Sequence, residues 1–338
     1  MRQIWITRAG PPDVLQVRSA PDPEPKAGQV RIRVHAAGIN FADLMARVGL
    51  YPDAPKIPCV VGYEVSGVVD AVGAGVTNFR EGDRVAAMPR FGGYTDVLAI
   101  PAAQAIRMPP GMTFEDAAAL PVVYLTAHHM MLFIGSLRRG STVLVHSAAG
   151  GVGIAAVQLA KIHECVVLGV ASSSKLAFLR ELGVQHPIDS GVDLVGAVRA
   201  AVGDRGVDLI LDPVGGKSWT DGYDLLAPCG RLVAFGLSAA APNGTTRNLF
   251  HALGALLQIR RFSPLTLMDD NKTVSGVNMG HLFDRLDLLL PQLHALVDLY
   301  EKRLIKPHVA RTFSFEEAAA AHQFLHDRKA IGKVLLVP

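Results

Sequence analysis

Cysteine is scarce: the 338 residues hold three, Cys59, Cys165 and Cys229, with no two close in sequence. An odd, scattered set argues against a disulfide framework or a Cys-rich zinc knuckle, and it fits a reducing compartment. Long apolar runs are also missing. No stretch approaches the roughly 18 uninterrupted apolar residues of a membrane-spanning helix. The opening MRQIWITRAGPPD has no apolar signal core. Dense runs of Lys or Arg do not accompany the net charge of +3, so no nucleic acid and no anionic membrane is expected as a partner. Internal repeats and low-complexity tracts are absent too. These absences leave the expectation of a cytoplasmic protein with no integral membrane segment and about two domains.

What is present changes character near Pro121. Before it, QVRIRVHAAGIN (29–40), PCVVGYEVSGVVDAVGAGV (58–76), DRVAAM (83–88) and GYTDVLAI (93–100) are strand formers broken by Gly, Pro and Asp. They predict a compact β barrel or sandwich. After it, STVLVHS (141–147) reads as a buried strand and GVGIAAVQLAKIHE (151–164) as a long apolar helix. CVVLGVA (165–171) is strand again, and KLAFLRELG (175–183) is a helix stopped by Gly183. HPID, DLVGAVRAAVG, GVDLILD, a helix near 216–226 and GRLVAFG continue the alternation. Strands separated by helices predict a parallel, doubly wound sheet, so the fold class is α/β. SAAAPNGTTRN (238–248) reads as a loop and LFHALGALLQI (249–259) as a helix beside a pocket. Two amphipathic helices, near 281–303 and 315–328, precede the last strand, GKVLLVP.

The strongest local signal is HSAAGGVG (146–153), set between a predicted strand and a predicted helix. Ala149, Gly150, Gly151 and Val152 would meet a dinucleotide pyrophosphate at the helix N-terminus, whose free N–H groups and dipole favour anions. The two glycines leave room for the phosphates, and Gly153 lets the helix pack on the strand. Ala148 replaces the first glycine of the usual pattern. An acid about 20 residues further on would hold the 2′-hydroxyl of NAD. The second strand ends instead in GVASSSK (169–175), with no carboxylate. Ser172, Ser173 and Lys175 suit a 2′-phosphate, so the expected cofactor is NADPH. A Ser cap followed by a solvated Lys is the alternative.

GINFADLM (38–45), VGLYP (48–52), VGYEVSGVV (61–69), LTAHHMML (125–132), HSAAGGVG, DPVGG (212–216) and GKVLLV carry a resemblance over essentially the full chain. It is to the zinc-independent quinone oxidoreductase branch of the medium-chain dehydrogenase/reductase superfamily. HPID and KPH (306–308) bring the chain closer to the vesicle amine transport protein subgroup. The resemblance implies a GroES-like β-rich catalytic domain (1–122), a Rossmann NADPH-binding domain (123–281) and a C-terminal segment (282–338) that completes the first. It implies a homodimer joined near TVSGVN (273–278). It also implies hydride transfer to a small-molecule quinone or enone. Zinc-dependent relatives carry a Cys, a His-Glu pair and a distal Cys; here Asn40 and Tyr63 stand where the first Cys and the His would be, leaving Glu64 alone. No metal is expected. Glu64 is read as structural, or as hydrogen-bonded to backbone.

The resemblance places Asn40 beside the nicotinamide ribose, Thr126 facing the carboxamide, and Tyr51 on the substrate pocket, as a hydrogen-bond donor or as packing. Tyr63 and Tyr124 border the cleft with less warrant. His128 and His129 sit inside an apolar helix where only one could face the cleft, and a structural role is the better reading. Phe235 and Gly236, followed by Leu237, end a strand at its carboxyl edge, where cofactors lie. Asn278 belongs to the same region. Ser190 stands where relatives often have an aromatic residue near the adenosine phosphate. Two other readings compete: a nucleotide-binding vesicle- or membrane-associated protein with little turnover, and an enoyl-thioester reductase for which Arg260 and Arg261 are the only hint of a phosphate groove.

Overall fold

The structure, a computed structural model, describes residues 1–240 and 249–338, with the backbone alone of 249–252. It opens on an antiparallel ribbon, β1 (Arg2–Ile6) with β2 (Leu15–Ser19). The longest strand is β3 (Gln29–Ile39). Its Val30, Ile32 and Val34 go inward, while Arg31 and Arg33 reach out to the two oxygens of Asp70, at 2.8 and 2.7 Å. That division is the period-2 pattern of a half-buried strand. A short helix, α1 (Phe41–Arg47), follows and leads to β4 (Val65–Val72), β5 (Arg84–Ala87), β6 (Val97–Pro101) and β7 (Ala105–Arg107).

Two helices cross to the second sheet: α2 (Phe114–Ala119), capped by Thr113 Oγ1, and α3 (Pro121–His128), which widens into a π-helical turn at His129–Ile134. Then β8 (Thr142–Val145), α4 (Gly151–Ile162), β9 (Val166–Ala171), α5 (Leu176–Leu182), β10 (His186–Asp189), α6 (Leu194–Val202), β11 (Val207–Asp212), α7 (Lys217–Leu225) and β12 (Leu226–Ala234) alternate. After α8 (Leu249–Leu257) and α9 (Pro264–Asp269), β13 (Thr273–Gly276) closes a fully parallel sheet ordered β10-β9-β8-β11-β12-β13. In that sheet's own count the order is 3-2-1-4-5-6. The connection reverses between β8 and β11, the place where doubly wound sheets bind dinucleotides.

The chain returns through α10 (Leu286–Glu301), β14 (Val309–Ser314), α11 (Ala318–His326) and β15 (Lys333–Val337). β15 pairs antiparallel with β3, and β14 lies parallel to β15. The last segment thus completes the seven-stranded first sheet. One buried cluster runs through both parts, from Tyr63 and Met108 through Val123 and Met130 to Val143 and Val145.

Several elements differ from expectation. The region before Pro121 holds α1 and α2 as well as strands, because the FADLM and EDAAA stretches are helix formers between turn signals. β14 (VARTFS) gave no apolar signal, since most of it faces out. In α8, Leu253, Leu256 and Leu257 are exposed rather than set into a pocket wall. The loop expected over 238–248 begins as a 3-10 turn at Ser238–Ala240, and the rest lies outside the described residues.

Candidate active site

The glycine loop follows β8. Ser147 takes the left-handed conformation (φ 53) and so makes the turn that a first glycine would make. The methyl of Ala148 then fits against Gly169 of β9, and Ala148 N–H donates to the Val170 carbonyl at 2.9 Å. At Gly153 a Cβ would come within 2.4 Å of the Ser147 carbonyl oxygen and 2.6 Å of Ala148 Cα. This is the close helix–strand packing the sequence implied. At Gly151 a Cβ would come within 3.0 Å of Val123 Cγ1 of α3, so the missing side chain also makes room for that helix. Gly150, the N-cap of α4, has no side-chain cap. The first N–H groups of this 12-residue helix therefore have no intrahelical or capping acceptor, and they fit an anionic pyrophosphate. Ala149, at the mouth of the loop, accepts from Gly332 N–H at 2.8 Å. The first domain's last strand thereby touches the loop.

At the end of β9, Ser172, Ser173 and Ser174 are exposed, with Ser172 Oγ 3.3 Å from Ser174 Oγ. Lys175 is not the solvated lysine of the alternative reading. Its Nζ donates to the carbonyls of Arg328 and Ala330, at 2.7 and 2.6 Å. Burial, then the Arg328 charge, lowers its pKa. Arg328 is therefore a second cation at this corner, brought from between α11 and β15. Sequence reading missed it because it lies more than 150 residues from the motif. Ser190 is tied to this edge by its N–H to the Ala171 carbonyl, 2.8 Å.

Across the cleft, Asn40 sits in a buried polar group. Its Oδ1 accepts from Lys333 Nζ at 2.6 Å, and its Nδ2 donates to Glu64 Oε1 at 3.0 Å. Lys333 also pairs with Glu64, and Glu64 Oε2 accepts the Val122 N–H at 2.8 Å. Behind this group, Asp43 accepts from the N–H of Asn40 (2.7 Å) and of Gly62 (3.1 Å). Burial raises its pKa to about 7 against those hydrogen bonds and Lys333. Lys333 was missed in sequence, although a lone Lys opening the apolar strand KVLLV was the available signal.

The other candidates divide. Thr126 Oγ1 donates to the Val122 carbonyl at 2.6 Å, which leaves its lone pairs for an incoming N–H. Phe235 N–H meets the Asp212 carbonyl at 3.1 Å, Gly236 lies against Pro213, and Leu237 covers Gly215. Asn278 caps the turn at Gly280 and donates to Asp53 Oδ2 at 3.2 Å; His281 Nε2 reaches the same oxygen at 2.8 Å. These contacts tie the α1–β4 segment to the end of the parallel sheet. Tyr51 is half-buried with its hydroxyl beside Gly280, and burial raises its pKa. Tyr63 is buried, its ring 5.2 Å from that of Phe91 and 6.0 Å from that of Phe283.

Tyr124 does not offer its hydroxyl to the cleft: it donates to Gln158 Oε1 at 2.8 Å, and Gln158 in turn holds Lys306. His128 and His129 both meet Gln292 of α10, at 3.1 and 3.2 Å. Both rings thus meet one glutamine of α10, at the point in the chain where His129 opens the π-helical turn. Among the described residues no three of His, Cys, Asp and Glu gather as a metal set.

Residues 26–110 match the alcohol dehydrogenase GroES-like domain and residues 182–336 the zinc-binding dehydrogenase family. The chain is 43% identical over 342 aligned positions to the synaptic vesicle membrane protein VAT-1 homolog of Rattus norvegicus, covering all of this chain and 84% of that one. The chain belongs to the medium-chain dehydrogenase/reductase superfamily. Another relative from this superfamily is a quinone oxidoreductase of Pseudomonas aeruginosa, 33% identical over 100% of this chain and 99% of its own. The crystal structure of Escherichia coli quinone oxidoreductase complexed with NADPH superposes with a TM-score of 0.88, at 28% identity and full coverage of both chains. The superfamily's zinc does not fit the residues here: Glu64 is committed to Lys333, Asn40 and the Val122 N–H. The match is thus with the zinc-independent quinone oxidoreductase branch.

Proposed function

We propose that this protein is a reductase that uses NADPH to deliver hydride to a quinone or an α,β-unsaturated carbonyl. The carrying observation is the corner at the end of β9, where Ser172–Lys175 and Arg328 gather with no carboxylate on the strand end. That chemistry suits a 2′-phosphate and not a 2′-hydroxyl. Related proteins named as quinone oxidoreductases, one of them an NADPH complex, support the reading.

When bound, the reduced nicotinamide would supply the hydride. The chain's own residues do the rest. The N-terminus of α4 with Ala149–Val152 holds the pyrophosphate. Asn40, fixed by Lys333 and Glu64, presents its remaining amide hydrogen to the ribose. Thr126, Phe235–Leu237 and Asn278 orient the nicotinamide. Tyr51 donates to the carbonyl oxygen of the acceptor. A conjugated acceptor spreads the negative charge it gains, so neutral donors suffice where a simple alkoxide would call for a Lewis acid. Following absorbance at 340 nm with a panel of quinones and enones, NADPH is expected to be consumed at least about tenfold more efficiently than NADH. Equal use of both coenzymes, or no turnover with any acceptor, overturns the reading. A vesicle-associated role has one observation in its favour, the exposed Leu253, Leu256, Leu257, Leu265 and Met268 of α8 and α9. Co-sedimentation with phospholipid vesicles tests it.

A further inference from the structure

We propose that the Tyr63 hydroxyl is a second hydrogen-bond donor to the carbonyl oxygen of the acceptor, forming with Tyr51 a two-phenol site for the developing oxyanion. This rests on the reductase reading above. Three observations carry it.

The first is position. Tyr63 follows Gly62, whose N–H is held by Asp43 at 3.1 Å and whose carbonyl accepts from Gly93 at 3.1 Å. Its ring is clamped between Phe91 and Phe283. The next residue, Glu64, turns its side chain to Lys333 and Asn40. Tyr63 is thus fixed one residue from the buried group that orients Asn40, at the place where the family resemblance puts a zinc-ligand histidine.

The second is an unmet bond. Tyr63 is only 4% exposed, and its hydroxyl has no hydrogen-bond partner. The Tyr51 hydroxyl is close enough to interact with it, yet no hydrogen bond of normal length and angle joins the two. Buried hydroxyls are nearly always paired, and one left unpaired is costly. The carbonyl oxygen of a bound acceptor would satisfy it.

The third is protonation. Burial, with Asp43, Tyr51 and Asp53 nearby, pushes the phenol's pKa far up. Tyr63 therefore stays protonated and acts as a donor only. Reduction of the acceptor does not take that proton from Tyr63. The acceptor gains two electrons with the hydride, and its C=C–C=O electron pair moves onto oxygen. Both phenols hydrogen-bond that oxygen and keep their protons. Water supplies the proton that completes the product, and the nicotinamide leaves oxidised.

Tyr63→Phe separates this role from packing. The expected result has three parts. With an enone, kcat falls about tenfold while the KM for NADPH is unchanged. The melting temperature of the protein without ligands rises, because an unpaired buried hydroxyl is gone. In the presence of NADP⁺, 4-nitrophenolate, an oxyanion whose absorption band reports hydrogen-bond donors, binds several-fold more weakly than to wild type. A variant with unchanged kcat and unchanged 4-nitrophenolate affinity overturns the proposal. A lowered melting temperature also counts against it, since the hydroxyl would then be structural. If wild-type protein turns over no acceptor, the reductase reading itself has failed; if wild type turns over and Tyr63→Phe matches it, only Tyr63 has been misassigned.

Discussion

Lys333 and Glu64 are both almost fully buried, and neither has water to fall back on. Removing one partner of such a pair leaves an uncompensated charge, which costs about 3–5 kcal/mol, whereas removing both is often close to neutral. Lys333→Met is therefore expected to lower the denaturant midpoint sharply, and Lys333→Met with Glu64→Gln to recover most of the loss. Urea titration of the single and double variants checks this; equal loss in both would mean that Lys333 acts through packing instead. The pair also shows why sequence reading stopped short at this scale. A Lys heading an apolar strand looks like a strand terminus, and only the pairing of β15 with β3 puts its ammonium on Asn40. Asn40, Tyr51 and the glycine loop could be singled out as candidates because their neighbours in sequence carry the pattern. Lys333, Arg328 and the lone Tyr63 hydroxyl depend on what folds against them.

Among elements, the alternation of β3 and the strand–glycine–helix order around α4 were legible, because period and turn residues are local properties. The helix α3 was legible as a helix but not in its orientation. Its His128 and His129 turn to one partner, Gln292, and its Tyr124 hydroxyl goes to Gln158. The same helix sets a limit on the glycine loop. Val123 fills the space over Gly151, so a side chain there pushes α3 and α4 apart. Gly151→Val is expected to weaken coenzyme binding by roughly tenfold or more through that displacement, a cost typical of overpacking. Adding Val123→Ala should restore much of the affinity. NADPH titration of the single and double variants by fluorescence measures both. If Val123→Ala gives no recovery, the added side chain blocks the phosphates directly.

For the whole molecule, Asp53 with Asn278 and His281 ties the first part of the chain to the end of the parallel sheet. Arg90 and Asp284 add a looser pair at 3.8 Å. Such partly exposed pairs are each worth about 1 kcal/mol at most and are screened by salt. Asp53→Ala is expected to raise the KM for the acceptor about two- to fivefold, with the melting temperature little changed. Wild type in high salt should approach the variant. A large loss of stability would instead make Asp53 a folding contact. β13 is the last strand in the parallel sheet's order. None of this spanning was legible, since it depends on how two separately patterned halves meet.

The seam between β3 and β15 has a consequence in time. Asn40 and Lys333 are 293 positions apart, and ribosomes add residues at roughly 5–20 per second, with domains folding as they emerge. The parallel sheet, built from residues 142–276, is complete in the nascent chain while β3 still waits for its neighbour. For roughly 13 to 54 seconds the first half has an open sheet edge and an unpaired Glu64. During synthesis this protein is therefore one finished domain flanked by an unfinished one, and that interval is when chaperones and proteases have most to act on.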